Sequence, residues 1–390
     1  MEGLELSQAA MTQEAANGRF AGSAQLAVSF GRRRGVIVSE GARWSRNSRL
    51  VRASLHHMLT SSSELEAMIG AEVAALVSEL RAARGPVQVK SLFRPRYLSL
   101  CWHVITGHRL PEAETRRLTA LFSAEMTALQ NPWVDNRLLR TLFHERSGFG
   151  AVLRYRDAVR EKFAEAVRGG GGRREGTFIA RLRASKRDPL WRPETDEDLV
   201  MFFFDFLNAG CETTSAFCEW ALTYLLRHPD VQQRLRADGP HAHLARAFEA
   251  EVLRRSSLTP AGVPHRSLAE FLVGGYRVPS GAVLRYDIVG TQWNEQLWHE
   301  PDRFRPERFL RNGVFASSEN LVPYGIGLRR CTGEEYAQAY HFLMMGGLLR
   351  EFTVALPPGR LPPTEEATMG LTRNCLPFEA VFTSLPQSSA

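Results

Sequence analysis

The sequence predicts a mainly α fold with small β-sheets, and three observations lead there. Apolar residues recur at helical spacing over long stretches, roughly 64–83, 111–130 and 150–168. The longest pattern begins near Thr195 and reaches His228, about 34 residues or roughly 50 Å of helix. Its first half, Leu199 to Leu207, is apolar nearly all round, as in a helix buried in the middle of a large protein. Strand character is confined to short apolar runs around 272–288 and 352–383.

Residues 1–34 have weak periodicity and read as a poorly ordered start. Residues 35–390 read as one domain, because no linker divides them convincingly and no internal repeat is present. A short apolar run at Val36–Ser39 leads into a basic helical pattern that carries Trp44 and ends near Leu59. Ser61, Ser62 and Ser63 offer caps for the helix that follows, and Arg84-Gly85-Pro86 ends it. Gly169–Gly172 reads as a mobile surface connection. Thr195, with Asp198 three residues on, resembles a capping box at the head of the long helix. Pro229 stops it, and 245–255 is again helical. The runs 272–278 and 282–288, broken by Gly274-Gly275 and Pro279-Ser280-Gly281, read as a β-hairpin. A final helix over 334–351 follows irregular, proline-rich chain, and Phe352–Ala355 pairs with Glu379–Thr383.

The chain has 390 residues, a net charge of +7 and five cysteines. That length buries a large core. Five cysteines without a CxxC pair exclude a disulfide framework and a structural zinc site. Basic residues are scattered, apart from Arg32-Arg33-Arg34, so nucleic acid is not the expected partner. No signal peptide and no membrane-spanning run is legible.

The chemistry concentrates at Tyr324–Gly333, Tyr-Gly-Ile-Gly-Leu-Arg-Arg-Cys-Thr-Gly. A single cysteine, Cys331, sits in a glycine-rich loop at the head of a helix. A helix N-terminus favours a thiolate and lowers its pKa. Gly325, Gly327 and Gly333 lack a Cβ, so a flat group can approach the backbone. The arrangement suits a thiolate ligand to haem iron; a buried structural cysteine is the competing reading. In the long helix, Ala209-Gly210-Cys211-Glu212-Thr213-Thr214 puts an acid and a hydroxyl in apolar surroundings. The Thr213 hydroxyl can bond the carbonyl four residues back, and Gly210 leaves room for a ligand against the helix. Glu251 and Arg254 share a helix face, and Arg308 in Pro306-Glu307-Arg308-Phe309 can complete a buried cluster. Trp44 with Arg46 and Arg49, and His265 with Arg266, are candidate carboxylate binders.

The ordered series Ala-Gly-Cys-Glu-Thr-Thr, Glu-x-x-Arg, Pro-Glu-Arg-Phe and the glycine-flanked cysteine resembles the cytochromes P450, most of all the animal microsomal type. The resemblance covers roughly 35–382. It implies the cytochrome P450 fold, an α-helical domain plus a minor β region, with 35–390 as a single haem domain. It implies a haem-thiolate monooxygenase that inserts one oxygen atom of O2 into a hydrophobic small molecule, such as a steroid, lipid, terpenoid or xenobiotic. The cofactor would be haem b, iron protoporphyrin IX, and electrons would come from NADPH through NADPH-cytochrome P450 reductase. Its location would be the cytosolic face of the endoplasmic reticulum membrane, with peripheral membrane contact.

Residue by residue, the resemblance makes Cys331 the axial ligand, with Arg329, Trp44, His265, Arg49 and Gly325 around the cofactor. Glu212 and Thr213 would be the acid–alcohol pair that helps protonate bound dioxygen. Glu251, Arg254 and Arg308 would form the structural triad. Phe203, Phe204, Asn208, Ala209, Gly262, Val263 and Leu371 would meet the substrate. Departures from the family pattern are Tyr324 for Phe, Thr332 for an apolar residue, and Ser48 for arginine, with Arg49 as its substitute. The shortened 229–250 segment, and a start without the anchor and first strands and helix of the fold, make a truncated, non-catalytic haem-binding relative the alternative. A helical scaffold with a buried free cysteine is the non-haem reading.

Overall fold

The computed structural model describes residues 2–60, 62–168, 177–185, 196–238 and 243–386. The glycine run 169–172 and Thr195 lie outside these residues. The first helices are α1 Glu2–Met11, α2 Ser23–Val28, α3 Gly41–Thr60 and α4 Ser62–Ala82. Next come α5 Phe93–Thr106, α6 Glu112–Ala128, α7 Arg137–Leu142, α8 Phe149–Arg168 and α9 Phe178–Ser185. The long α10 spans Asp196–Arg227, close to the expected bounds. It is followed by α11 Pro229–Asp238, α12 His243–Ser256, the short α13 Ile288–Gln292 and α14 Glu334–Glu351.

Helix α10 organises the core. Residues 199–204 and Leu207, Phe217, Trp220, Leu222, Tyr224 and Leu225 are all buried. Burying each such apolar side chain contributes roughly 1.5–3 kcal/mol. Helix α5 packs along it and ends at Gly107, whose φ of 83° closes the last turn through an N–H to the His103 carbonyl at 2.7 Å. Helices α6 and α8 meet through the Phe122–Tyr155 ring pair, centroids 5.5 Å apart. One apolar cluster runs from Ala24 to Ala380.

The strands are short. β1 Gly18–Arg19, β3 His265–Arg266 and β6 Val283–Leu284 form one sheet, with β3 in the middle. β2 Val87–Gln88 and β9 Phe352–Ala355 flank β12 Glu379–Ser384, which confirms the expected 352–355 with 379–383 pairing. β4 Phe271–Val273 and β5 Tyr276–Val278 form a tight hairpin on Gly274-Gly275. β7 Leu310–Arg311 pairs with β8 Val314–Phe315, and β10 Ala367–Met369 with β11 Arg373–Cys375.

Two expectations change. The hairpin is complete within 271–278, and Val283–Leu284 pairs instead with His265–Arg266. The two glycines close the turn by themselves, with φ of 55° and 81°. Residues 1–34, expected to be poorly ordered, carry α1, β1 and α2. Long-range packing orders them. Arg19 pairs with His265. Leu4 and Met11 are buried with Val322 and Ile326. No helix among the described residues is long and apolar enough to cross a membrane.

Candidate active site

A cavity of about 380 Å³ opens at the middle of α10. Its wall comes from the 36–38 segment, α3, α10, the 258–263 loop, the 323–333 loop and α14. Of the five cysteines four are buried, and Cys331 alone is exposed, into this cavity. The loop that presents it is held by the Cys331 N–H, which donates to the Tyr324 carbonyl at 2.9 Å. Gly325 and Gly327 adopt φ of 78° and 71°, the left-handed region. Space above the glycines divides them. A Cβ on Gly325 would meet the Tyr286 hydroxyl at 2.4 Å, and one on Gly327 the Met11 carbonyl at 2.1 Å. Gly333 has nothing within 4 Å. Of the three, Gly333 is therefore the one that leaves the backbone open to a flat group.

The expected lowering of the thiol pKa does not occur. Burial pushes the Cys331 thiol up, and the Gly333 N–H only partly offsets it. Desolvation outweighs the helix terminus here, and a cation bound at the sulfur would act in the opposite direction.

Two guanidiniums line the same cavity. Arg329 is buried, donates to Asn17, Val36 and Ser39, and stacks 4.1 Å from the Trp44 ring. Arg19 donates to the Val263 carbonyl at 2.8 Å, while its Nε is buried without a partner. Burial lowers their pKa values to about 9 and about 10. Neither forms an ion pair among the described residues, so this wall is a cationic site that an anionic group would complete. Sequence reasoning missed Arg19, an isolated arginine in a polar stretch.

Trp44, Ser48 and Gly325 line the cavity. Arg49 does not: it is exposed, and its Nε reaches back to the Ser45 carbonyl. One step along α3 turns a side chain by roughly 100°, which puts Ser48 rather than Arg49 inward. His265 is also outside the lining. It is buried in β3, its Nδ1 2.8 Å from the Ala16 carbonyl. Burial, and then nearby Arg19, lower its pKa to about 4, leaving a neutral ring tied to backbone.

On α10, Phe204, Asn208, Ala209, Glu212 and Thr213 face the cavity, joined by Gly262, Val263 and Leu371. Phe203 points the other way, edge-on to Trp102 at 5.2 Å. Thr213 Oγ1 donates to the Ala209 carbonyl at 2.8 Å, and α10 stays continuous there. Glu212 is not a free acid. Its carboxylate accepts from Arg94 at 2.8 Å and from Thr372 and Asn374, each at 2.9 Å. Gly210 does not open space for a ligand either, since a Cβ there would meet the Tyr97 hydroxyl at 2.5 Å. The glycine serves the α5–α10 contact. A further polar group in the wall is Glu125 of α6. It accepts from the Asn208 amide at 3.1 Å, and burial pushes its pKa up to about 8.

The expected ion cluster joins α12 to the 292–308 segment. The Glu251 carboxylate, fully buried, accepts from Arg254 at 2.8 and 2.9 Å, from Arg308 Nε at 3.0 Å and from the Arg305 N–H at 2.8 Å. Arg254 also donates to the carbonyls of Gln292 and Pro301. The cluster fixes the 292–308 segment against α12.

Comparison with known proteins agrees with this arrangement. A family model described as "Cytochrome P450" matches residues 1–382. Farnesoate epoxidase of Bombyx mori is 27% identical over 411 residues, covering 97% of this chain and 82% of that protein. Steroid 17-alpha-hydroxylase/17,20 lyase of Gallus gallus is 28% identical over 377 residues, covering 86% and 72%. A zebra fish cytochrome P450 structure with progesterone superposes with a TM-score of 0.86 at 20% identity, over 97% of this chain and 92% of that one. At that identity the likeness establishes the fold.

Proposed function

The chain belongs to the cytochrome P450 family, and from that premise we propose that its cavity seats haem b on Cys331 and admits a hydrophobic small molecule and O2. Membership makes it a haem monooxygenase, an oxidoreductase. One observation carries the seat: one cavity is lined by an exposed thiol, by the open Gly333 backbone and by two buried guanidiniums that lack an ion pair among the described residues. A flat dianionic iron macrocycle matches all three.

Cys331 would ligate the iron, and Arg329 and Arg19 would bind its carboxylates, with Trp44 bracing Arg329. When bound, haem supplies the oxygen chemistry, and a thiolate ligand pushes electron density toward iron. Thr213 holds a proton on Oγ1 at the α10 wall. Glu212 acts as a buried carboxylate that gathers Arg94, Thr372 and Asn374 around its own oxygens. Phe204, Ala209, Val263 and Leu371 give an apolar lining for a lipid, terpenoid, steroid or xenobiotic, and relatives named for farnesoate and steroids support that class. Electrons would come from NADPH through a flavoprotein reductase, whose acidic face the net charge of +7 would suit. The exposed Trp133, Leu138, Leu142 and Phe143 on and around α7 support peripheral contact with the endoplasmic reticulum membrane.

The test is a carbon monoxide difference spectrum of the reduced, purified protein. A thiolate-type band that disappears in Cys331→Ala is expected. No haem uptake, or a histidine-type band in the unsubstituted protein, would sink the reading. Haem uptake without oxidation of any apolar substrate would favour the non-catalytic alternative.

A further inference from the structure

A second cavity of about 240 Å³ lies between α10, α11, α12 and α14. Phe217 of α10, Leu235 of α11, Phe248 of α12 and Met345 and Leu349 of α14 make most of its wall apolar. Two guanidiniums complete the lining, Arg236 from α11 and Arg350 from α14. Arg236 is half-buried and held by neutral acceptors. Its Nη1 donates to Thr353 Oγ1 at 2.7 Å and its Nε to the Gln232 carbonyl at 3.5 Å. Arg350 is exposed. Neither arginine forms an ion pair among the described residues. The acid in the same lining, Glu249, accepts from His341 Nδ1 at 2.9 Å. One carboxylate against two guanidiniums leaves the lining with an uncompensated positive charge.

We propose that this cavity is a second binding site, for a medium-chain carboxylate whose head group sits on Arg236 and Arg350. A guanidinium takes a carboxylate through two parallel N–H bonds, and both arginines have N–H groups to spare. The apolar wall takes the alkyl chain, and removing that chain from water supplies the rest of the affinity. A small inorganic anion would satisfy the charge and leave the wall wet. The volume lies below the roughly 300 Å³ at which pockets for drug-sized ligands begin, which fits a short chain better than a sterol. Binding there needs no cofactor, so it stands apart from the haem reading.

The probe is octanoate, titrated calorimetrically into the purified full-length protein, with octanol as the uncharged control and acetate as the head group alone. The larger cavity also has an apolar lining, so the titrations are repeated in Ala209→Phe, which fills it. A one-to-one event should persist in Ala209→Phe and weaken at least about tenfold when Gly346→Leu is added to fill the second cavity from α14. An added Cβ at Gly346 meets nothing within 4 Å, and the change removes a helical glycine, so that variant should fold. Octanoate should bind about tenfold more tightly than octanol, the worth of one charged hydrogen bond, and far more tightly than acetate. Arg350→Met keeps an aliphatic stem and breaks no hydrogen bond or ion pair among the described residues. It should weaken octanoate about three- to fivefold, the upper worth of an exposed ion pair, and leave octanol unchanged. Overturning results are no saturable octanoate binding in Ala209→Phe, binding that survives Gly346→Leu, octanol or acetate as tight as octanoate, or an octanoate affinity that Arg350→Met leaves unchanged.

Discussion

Replacing Glu251 by alanine removes the acceptor from the buried ion cluster. Arg254 loses bonds at 2.8 and 2.9 Å and stays wholly buried, while Arg308 and the Arg305 N–H lose theirs at 3.0 and 2.8 Å. Breaking a buried pair by deleting one partner costs about 3–5 kcal/mol, because the other charge is left uncompensated. Here one carboxylate serves two guanidiniums, so the upper end is expected. Against a usual total of about 5–15 kcal/mol, that is a large share. Urea unfolding followed by tryptophan fluorescence measures it as a lower midpoint at unchanged slope. A double variant, Glu251→Ala with Arg254→Met, should lose less than the sum of its single changes, since the orphaned cation is gone. A loss under about 1 kcal/mol in Glu251→Ala, or strict additivity, would refute the claim that these charges hold the 292–308 segment.

Three further changes discriminate among the site's parts. Arg19→Met should stabilise the haem-free protein by removing an unpaired buried cation, yet speed haem transfer to a scavenger about 10- to 100-fold, the worth of a charged hydrogen bond. Matching signs in the two measurements would exclude a cofactor role. Glu125→Gln tests the raised carboxyl. Its folded pKa of about 8 lies above the unfolded 4.5, so the native contribution is full below about pH 4.5 and lost as pH rises through about 8. The glutamine variant should therefore gain on the native protein with rising pH, by at most about 5 kcal/mol, and calorimetric melting at pH 5 and 9 would expose a constant gap if burial were unimportant. Gly210→Ala adds a Cβ against the Tyr97 hydroxyl and should destabilise by roughly 1–3 kcal/mol despite better helix propensity; a rise in melting temperature would show that α5 and α10 can part.

Much of this was legible because the signals are local. Helices α10 and α14 announce themselves by periodicity and by Pro229 and Gly333 at their ends. Glu251 and Arg254 lie one turn apart, and Cys331 is marked by its own glycines. The hidden parts depend on contacts between distant segments. Arg94, which pairs with Glu212, is 118 residues away in sequence. Arg19 becomes part of the site because β1 joins β3, and that pairing also orders a stretch too short to show periodicity. Face errors of one residue separate Phe203 from Phe204 and Arg49 from Ser48, finer than a helical pattern specifies. Cys331 shows a third limit. Its neighbours in sequence argue for a thiolate, but desolvation at the cavity wall pushes its pKa up instead.

The pairing of β1 with β3 also bears on how this protein can be handled. The opening residues look dispensable, and an expression clone trimmed to begin near residue 35 would be a natural choice. Such a clone would delete Arg19 from the cavity and leave β3 with a bare edge. It would also remove Met11 from beneath Gly327 and the Asn17 acceptors from Arg329. An affinity tag at the far terminus, beyond β12, leaves all of these in place.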